Sequence, residues 1–366
     1  MYNNNNKKKI EERKGLLNFS SSILAILVGL LFGFFVLLIS NPSEVFSGFF
    51  YILTGGFNTG FSGISSFIYF ATPIIMTGLS VGFAFKTGLF NIGASGQFII
   101  GSFIAVYIGV KWTFLPPSIH WIVALIFAFL GGALWGAIPG ILKAFANVNE
   151  VISSIMTNYI AMHLVNILVK ETIYDNSKNQ SLQIAKSAVI PKFGLEKIFS
   201  GLNINWGIVI AIIFVIIIYI ILEKTTFGYE LKACGQNKEA SKYAGINSKR
   251  NIILSMAIAG ALAGLGGGLT YLYGVGKSIQ VLDVLAPEGF TGISVALFGQ
   301  SNPIGILFAG LFIAHLRVAG VNLQLVGYAP EFIDIMISSI IYFGAFALIF
   351  KESIIKFAIR IERGNK

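Results

Sequence analysis

The residues best placed to recognise a solute share one face of a predicted helix that begins near position 150. They are Glu150, Ser153, Ser154, Thr157, Asn158 and Ala161. Their spacing places them on one side of an α-helix, and the positions between them are apolar. Interhelical polar bonds in lipid average only ~0.6 kcal/mol, so packing alone gives little reason for so many polar groups. The face favours the lining of a polar pathway, with hydrogen bonding between helices as the alternative.

The residue types that enzymes and metal centres need are sparse and scattered. The three histidines, His120, His163 and His315, lie far apart, and Cys234 is the single cysteine. The sequence therefore predicts no metal cluster and no disulfide within the chain. Neither a nucleotide-hydrolysing motif nor a catalytic group of His, Asp or Glu is visible. A membrane-embedded enzyme is accordingly the weakest of the functional hypotheses.

The overall composition indicates a chain that resides in lipid. Of its 366 residues, 55% are hydrophobic and 11% are charged, with a mean hydropathy of +0.79. A soluble domain carries about 25% charged residues, and disordered chains are poor in aromatic side chains, whereas this chain has 33 phenylalanines. The composition predicts an all-α, polytopic membrane protein. The net charge of +10 then reflects loop charges, and we expect no nucleic-acid partner.

About ten apolar segments are long enough to cross a bilayer, which takes roughly 20 residues each. The predicted spans are 16–40, 61–85, 92–110, 120–142, 150–169, 206–222, 251–273, 282–299, 303–321 and 330–350. The segment 282–299 is the weakest because it contains Asp283, Pro287 and Glu288. A broken or re-entrant helix would explain that segment if protein surrounds it.

Counting lysine and arginine orients the chain. With the N-terminus inside, 18 basic residues fall in inner segments and 7 in outer ones, which favours two cytoplasmic termini. This arrangement divides the chain into a polar cytoplasmic N-terminus at 1–15, a transmembrane domain at 16–350 and a basic cytoplasmic tail at 351–366. Within the transmembrane domain, 170–204 is an external segment and 223–250 is a cytoplasmic loop.

Four sequence blocks resemble one family of transport proteins. Gly78 to Gln97 contains GLFNIGASGQ, Ala146 to Ala161 reads ANVNEVISSIMTNYIA, and Pro287 to Gly305 reads PEGFTGISVALFGQSNPIG. In the cytoplasmic loop, Glu239-Ala240-Ser241 is followed by Gly245. Together they resemble the permease subunits of ABC importers for branched-chain amino acids, ribose and nucleosides, and the nucleoside (guanosine or purine-nucleoside) branch in particular.

The resemblance implies a role as the transmembrane subunit of an ATP-driven importer that works by alternating access. It implies a second, homologous permease subunit, an ATP-binding subunit with two nucleotide-binding modules, and an extracellular substrate-binding lipoprotein at a bacterial plasma membrane. No cofactor is expected on this chain, because ATP and magnesium would bind the ATPase. The ATPase-coupling residues would be Glu239, Ala240, Ser241, Tyr243 and Gly245.

A nucleoside presents hydrogen-bonding edges, an aromatic face and ribose hydroxyls, so its site needs amides, hydroxyls and an aromatic wall. The candidate pathway residues are Asn91, Ser95, Gln97, Ser154, Thr157, Asn158, Phe90, Tyr159 and Phe290. Asn91, Gln97 and Asn158 are the first choices, with helix-to-helix hydrogen bonding as the alternative for each. Ser95 departs from the family pattern, which commonly has Glu there, and this departure bears on the identity of the solute.

Two further hypotheses remain open. The solute could be a ribose-type sugar or a branched-chain amino acid, which the same family also carries. The chain could instead be a self-sufficient, ion-coupled secondary transporter. The scarcity of ionisable residues between the span ends weighs against ion coupling.

Overall fold

The computed structural model describes residues 14–195, 204–274, 276–329 and 331–345, and α-helices dominate them. The α-helices are α1 Lys14–Ser40, α2 Val45–Thr54, α3 Phe61–Lys86, α4 Ala94–Lys111, α5 Pro117–Ala146, α6 Glu150–Thr172, α7 Gly207–Lys224, α8 Thr226–Gln236, α9 Lys238–Tyr243, α10 Ser248–Tyr271, α11 Pro287–Phe298, α12 Pro303–Leu323 and α13 Glu331–Ala345. Two short strands, β1 Tyr174–Asp175 and β2 Gln180–Ser181, pair antiparallel. Three-residue 3₁₀ turns precede and follow α2, and others occur at Lys186–Ala188 and Gln324–Val326.

Seven described helices are long and apolar enough to cross a membrane. They are α3, α4, α5, α6, α7, α10 and α12, and they coincide with seven of the predicted spans. In place of the predicted span 282–299 the structure has α11, whose 12 residues extend about 18 Å and cannot cross alone. Only part of the last predicted span, through Ala345, lies in the described residues. The helix α2 had no counterpart among the predicted spans.

The backbones of three helices meet at Gly264 of α10. A Cβ atom added to Gly264 would lie 2.6 Å from the carbonyl oxygen of Ala128 and 2.8 Å from the Cα of Gly132, both on α5. A Cβ added to Gly101 of α4 would collide with the backbone of Gly264 itself. Small residues allow such approach where lipid provides no hydrophobic drive between helices. Glycines at this crossing therefore allow the three backbones to touch.

The connection between α3 and α4 folds back into the bundle. The side chain of Asn91 donates to the hydroxyl of Ser80 (3.3 Å), which lies six residues before the end of α3 at Lys86. At 1.5 Å per helical residue, the side chain of Asn91 therefore meets α3 about 9 Å along its axis from its end at Lys86. The left-handed backbone of Gly88 (φ 72°) begins this return, and α4 starts below the surface.

The half-length helix α11 also begins inside the bundle. Ser95 of α4 donates a hydrogen bond to the carbonyl of Ala286, the residue before α11, at 2.9 Å. A Cβ on Gly292 would lie 2.7 Å from the backbone of Thr77 in α3, so α11 packs closely on that helix. The backbone that leads to α11 thus contacts α4 on one side, while Leu282 and Val284 before it are 50% and 68% exposed.

The chain divides into two compact units, and residues 56–315 form the larger one. The smaller unit combines residues 1–55 with 316–366. Within it, the hydroxyl of Tyr328 donates to the carbonyl of Asn41 (2.9 Å), and Asn322 donates to the carbonyl of Gly55 (3.1 Å). Arg317 of α12 pairs with Asp334 of α13 at 2.8 Å. This arginine, which the sequence places inside a span, is therefore neutralised by a carboxylate on a neighbouring helix.

Candidate functional site

Two of the predicted pathway amides satisfy each other. The amide nitrogen of Asn91 donates to the side-chain oxygen of Gln97 at 2.9 Å, and Gln97 returns a bond to Asn91 at 3.0 Å. Both residues are fully buried, at 0% and 1% exposure. A reciprocal amide pair leaves little hydrogen-bonding capacity for a solute, so this geometry corresponds to the helix-bonding alternative.

Asn158 of α6 forms hydrogen bonds with the backbone of the folded-back segment, which is the connection 87–93 and the start of α4. Its side-chain oxygen accepts from the backbone N–H of Gly96 (2.8 Å), and its nitrogen donates to the carbonyl of Ile92 (3.0 Å). The first N–H groups of a helix have no partner within that helix, and an unsatisfied buried group costs about 1–3 kcal/mol. Asn158 thereby caps α4 from a neighbouring helix. We call Asn91, Gln97 and Asn158 the amide cluster.

The hydroxyl residues of the predicted pathway are buried next to this cluster. Ser95 bonds Ala286, as described above, and Thr157 donates to the carbonyl of Ser154 in its own helix (3.0 Å). The hydroxyl of Ser154 is buried without a hydrogen-bond partner among the described residues. The polar face of α6 thus points into the protein as predicted, while its use by a solute stays a prediction.

The three predicted aromatic walls differ in burial. Phe90 is half-buried and stacks on Phe85, with ring centroids 5.2 Å apart. Tyr159 is 50% exposed and Phe290 is 40% exposed on the surface of the chain. Glu150, at the start of the polar face, forms an ion pair with Lys143 of α5 at 2.9 Å. This carboxylate ties the adjacent ends of α5 and α6 together.

A polar cavity of about 260 Å³ lies on the other side of the Ser95–Ala286 contact. Its walls come from α4, α6, the end of α10, the connection 278–286 and the first turn of α11. The lining residues with polar groups or aromatic rings are Phe98, Ser102, Asn166, Tyr271, Ser278, Gln280 and Glu288. Sequence reasoning did not find this cavity, because the connection that closes it has no helical periodicity. The charges of Asp283 and Glu288 in an apolar segment were its only signal.

The cavity connection is held in place by hydrogen bonds from two directions. Asn166 of α6 donates to the carbonyl of Leu282 (3.1 Å) and to the carboxylate of Asp283 (2.9 Å). On the other side, the N–H of Ile279 donates to the hydroxyl of Ser181 in β2 (3.0 Å). Burial lowers the pKa of Lys277, which precedes this connection, and the nearby carboxylate of Glu288 opposes that shift.

The predicted coupling residues lie on and after the short helix α9. Asn237 caps this helix by accepting from the N–H of Ala240 (3.0 Å). Tyr243 is 94% exposed, Glu239 and Ala240 are exposed as well, and Gly245 adopts a left-handed backbone (φ 80°) in open space.

Ser241 is the exception, because it faces the bundle. It is 4% exposed, and its hydroxyl bonds the carbonyl of Lys238 (2.8 Å) and contacts the hydroxyl of Ser248 (3.3 Å). The segment therefore presents one exposed face and anchors itself through a small buried side chain.

The helix before α9 touches the folded-back segment directly. A Cβ on Gly235 of α8 would lie 2.5 Å from the carbonyl oxygen of Lys86 and 2.9 Å from the nitrogen of Gly88. Thr87, between them, shares a 2.7 Å hydrogen bond with Ser255 of α10. A continuous set of contacts thus runs from the coupling segment through this turn to the amide cluster.

Among the described residues, no three His, Cys, Asp or Glu side chains are grouped to hold a metal ion. The bundle of apolar helices, the buried polar groups within it and the exposed segment at one end define a multi-pass membrane protein. Residues 63–345 match the family described as branched-chain amino acid transport system / permease component, and the chain belongs to that family. It is a transport subunit rather than an enzyme.

Three relatives of known description are similar over most of this chain. The guanosine ABC transporter permease protein NupP of Bacillus subtilis is 37% identical over 91% of this chain and 94% of its own. The nucleoside ABC transporter permease protein NupB of Lactococcus lactis is 36% identical over 88% of this chain and 89% of its own. The guanosine ABC transporter permease protein NupQ of B. subtilis is 29% identical over 73% and 83%. No solved structure matches the chain.

Proposed function

We propose that this chain is one permease subunit of an ATP-driven importer that carries nucleosides across a bacterial plasma membrane. The observation that carries the proposal is the 37% identity to a guanosine permease over 91% of the chain. The similarity extends through both regions described above, the amide cluster and the polar cavity. An uncharged solute also suits a bundle in which the intramembrane charge of Arg317 is paired.

The proposed assembly contains a second permease that is homologous to this one. B. subtilis has two guanosine permeases, NupP and NupQ, and both are similar to this chain. We therefore expect a heterodimer of two related permeases. An ATPase subunit with two nucleotide-binding modules and an extracellular lipoprotein that delivers the solute would complete the importer. Neither ATP nor another cofactor would bind this chain.

The proposed orientation places both termini and the coupling segment in the cytoplasm, with about ten passages of the membrane in all. The excess of basic residues at that side supports it. The exposed face of α9, with Glu239, Ala240 and Tyr243, would then dock on the ATPase, and Gly245 would end the docked helix. Closure of the ATPase would reach the amide cluster through Gly235 and the turn at Gly88.

Uptake by the reconstituted importer tests the proposal. The chain is placed in proteoliposomes with its partner permease, ATPase and binding protein, and accumulation of radiolabelled guanosine, adenosine, ribose and leucine is compared. We expect ATP-dependent uptake of nucleosides only. Uptake of ribose or leucine in place of nucleosides would contradict the assignment of the solute.

A second arm of the same experiment separates ATP-driven from ion-coupled transport. The chain alone is reconstituted and a proton or sodium gradient is imposed. We expect no nucleoside accumulation without the ATPase, because this chain has no coupled set of intramembrane acids among its described spans. Gradient-driven uptake by the chain alone would identify a secondary transporter instead.

A further inference from the structure

We propose that the cavity between α4, α6 and the start of α11 is a purine-nucleoside site and that Glu288 selects guanine over adenine. The proposal rests on the proposed function and deepens it, since it names the site and the preferred base. It also moves recognition away from the amide cluster, whose hydrogen bonds are made within the protein.

The size of the cavity suits one compact solute. Its volume of about 260 Å³ lies just under the usual range of small-molecule sites, roughly 300–1,000 Å³. A hollow of about 530 Å³ on the outer surface of α5 and α7 is larger but is lined by apolar and aromatic side chains such as Phe129 and Phe214. That surface suits lipid, whereas the smaller cavity offers polar groups as well as rings.

Hydrogen-bonding capacity in the cavity is not used up by the protein. Glu288 makes no ion pair or hydrogen bond with another described residue, and neither does the side chain of Gln280. The hydroxyl of Ser278 is buried without a partner among the described residues. A buried group without a partner costs free energy, and this applies to Ser278, whereas Glu288 is half-buried and Gln280 is exposed. The side chains of all three keep hydrogen-bonding capacity for a polar solute.

The first turn of α11 presents acceptors and donors side by side. No side chain caps this helix among the described residues, and Pro287 occupies its first position. The N–H groups that follow have no partner within the helix, and they favour a carbonyl oxygen or other negative atom. The carboxylate of Glu288 adds two acceptor oxygens at the same place.

This combination matches one nucleobase edge. Guanine carries a carbonyl oxygen beside two adjacent N–H donors, whereas adenine has an amino group beside an unprotonated ring nitrogen. Enzymes that bind an unpaired base read this edge by hydrogen bonds and hold its faces between aromatic or apolar side chains. Phe98 and Tyr271 supply aromatic rings in the cavity wall. Ser278 remains for a ribose hydroxyl, and the exposed Gln280 lies at the edge of the cavity.

Protection of an introduced cysteine tests the site directly. Gln280 is exposed and lines the cavity, and the native Cys234 is buried in another part of the bundle. In the assembled importer, Gln280→Cys is labelled with a small thiol reagent in the presence of guanosine, inosine or adenosine. Ser177→Cys, exposed in the turn between β1 and β2 and outside the cavity, is the matched control.

We expect guanosine to protect Gln280→Cys at a concentration about tenfold or more below that of adenosine. Inosine, which lacks one of the two N–H donors, should fall between them. Glu288→Gln should bring guanosine and adenosine within about threefold of each other, while Glu171→Gln, which removes an exposed carboxylate of α6 outside the cavity lining, should keep the preference. Ser177→Cys should show no protection.

The outcomes separate the site from the proposed function. Nucleoside uptake without protection of Gln280→Cys, or a guanosine preference that persists in Glu288→Gln, would overturn the site. Protection with the expected order, but without ATP-driven uptake, would support the site and contradict the importer. Equal protection of Gln280→Cys by all three nucleosides, with Glu288 unchanged, would overturn the selection by Glu288. This measurement does not depend on whether a variant of Glu288 folds.

Discussion

The amide cluster and the polar cavity lie on either side of the Ser95–Ala286 hydrogen bond and differ in how their polar groups are used. In the cluster, Asn91 and Gln97 bond each other, and Asn158 bonds the backbone of Gly96 and Ile92. In the cavity, the side chains of Glu288 and Gln280 form no ion pair or hydrogen bond with another described residue. A polar side chain within a membrane bundle therefore indicates binding only when its bonds are unfilled.

The reason for the cluster lies in the backbone that it supports. The connection 87–93 returns into the bundle without helical hydrogen bonds, and lipid provides no water to satisfy its N–H and C=O groups. The side chain of Asn158 takes the place of that water for the N–H of Gly96 and the carbonyl of Ile92. The cavity has a different cause, because the connection 278–286 and the first turn of α11 enclose a space in which the side chains of Glu288 and Gln280 are not bonded by the protein.

The largest expected effect separates the coupling of ATPase closure to transport from the binding of the solute. Gly235→Val would press a side chain against the carbonyl of Lys86, and overpacking of this kind costs about 1–3 kcal/mol. We expect ATP-driven uptake to fall by about tenfold or more, with guanosine protection at the cavity unchanged. Uptake and cysteine protection in the same proteoliposomes measure the two effects.

Gly274→Val is the matched control for that variant, since nothing lies within 4 Å of a Cβ at Gly274. It should transport as the wild type does. If Gly235→Val weakened protection at the cavity and left uptake intact, the assignment of coupling to the Gly235 contact and of binding to the cavity would be wrong.

The second prediction concerns the stability that the cluster provides. Gln97→Ala leaves the buried side-chain oxygen of Asn91 without its donor, while the Asn91 nitrogen keeps the hydroxyl of Ser80, and an unpaired buried group costs about 1–3 kcal/mol. We expect a lower midpoint of thermal unfolding in detergent and reduced uptake of every nucleoside in equal proportion. A changed preference among nucleosides would instead return recognition to the cluster.

A double variant sharpens this comparison. Replacing both amides, as in Asn91→Leu with Gln97→Leu, removes the reciprocal donors and acceptors together and leaves only the hydroxyl of Ser80 without its partner, so it should recover part of the lost stability. A double variant less stable than Gln97→Ala would show that the pair has a role beyond mutual satisfaction.

The smallest expected effect distinguishes two buried serines. Ser154 has no partner among the described residues, so Ser154→Ala should change the free energy of unfolding by less than about 0.5 kcal/mol. Ser95 bonds the carbonyl of Ala286, so Ser95→Ala should cost about 1 kcal/mol. Denaturant titration of both variants measures the difference, and a larger loss for Ser154→Ala would indicate a partner at that hydroxyl.

Hydropathy was sufficient to predict seven spans, because twenty apolar residues leave few alternatives to a crossing helix. It did not predict α2, whose ten residues are too few to give that signal. Periodicity placed Asn158 on an inward face, but it could not say whether a solute or the backbone of Ile92 is bonded there. That distinction depends on contacts between segments more than sixty residues apart.

The cavity could not be predicted from the sequence for a related reason. Its walls come from four helices and an irregular connection, and none of them shows the site alone. Ser241 illustrates the same limit within the coupling segment. Its motif placed it among docking residues, whereas its hydroxyl faces Ser248 and Lys238 inside the protein.

The crossing at Gly264 has a mechanical consequence. Helices that touch backbone to backbone cannot slide past one another without separating first, so α4, α5 and α10 must travel as a single rigid block. Packed interfaces shift between discrete positions rather than deforming continuously. In the proposed importer, an opening that admits and releases a solute would come from that block rotating against a neighbour, and the second permease would be the surface against which this one turns.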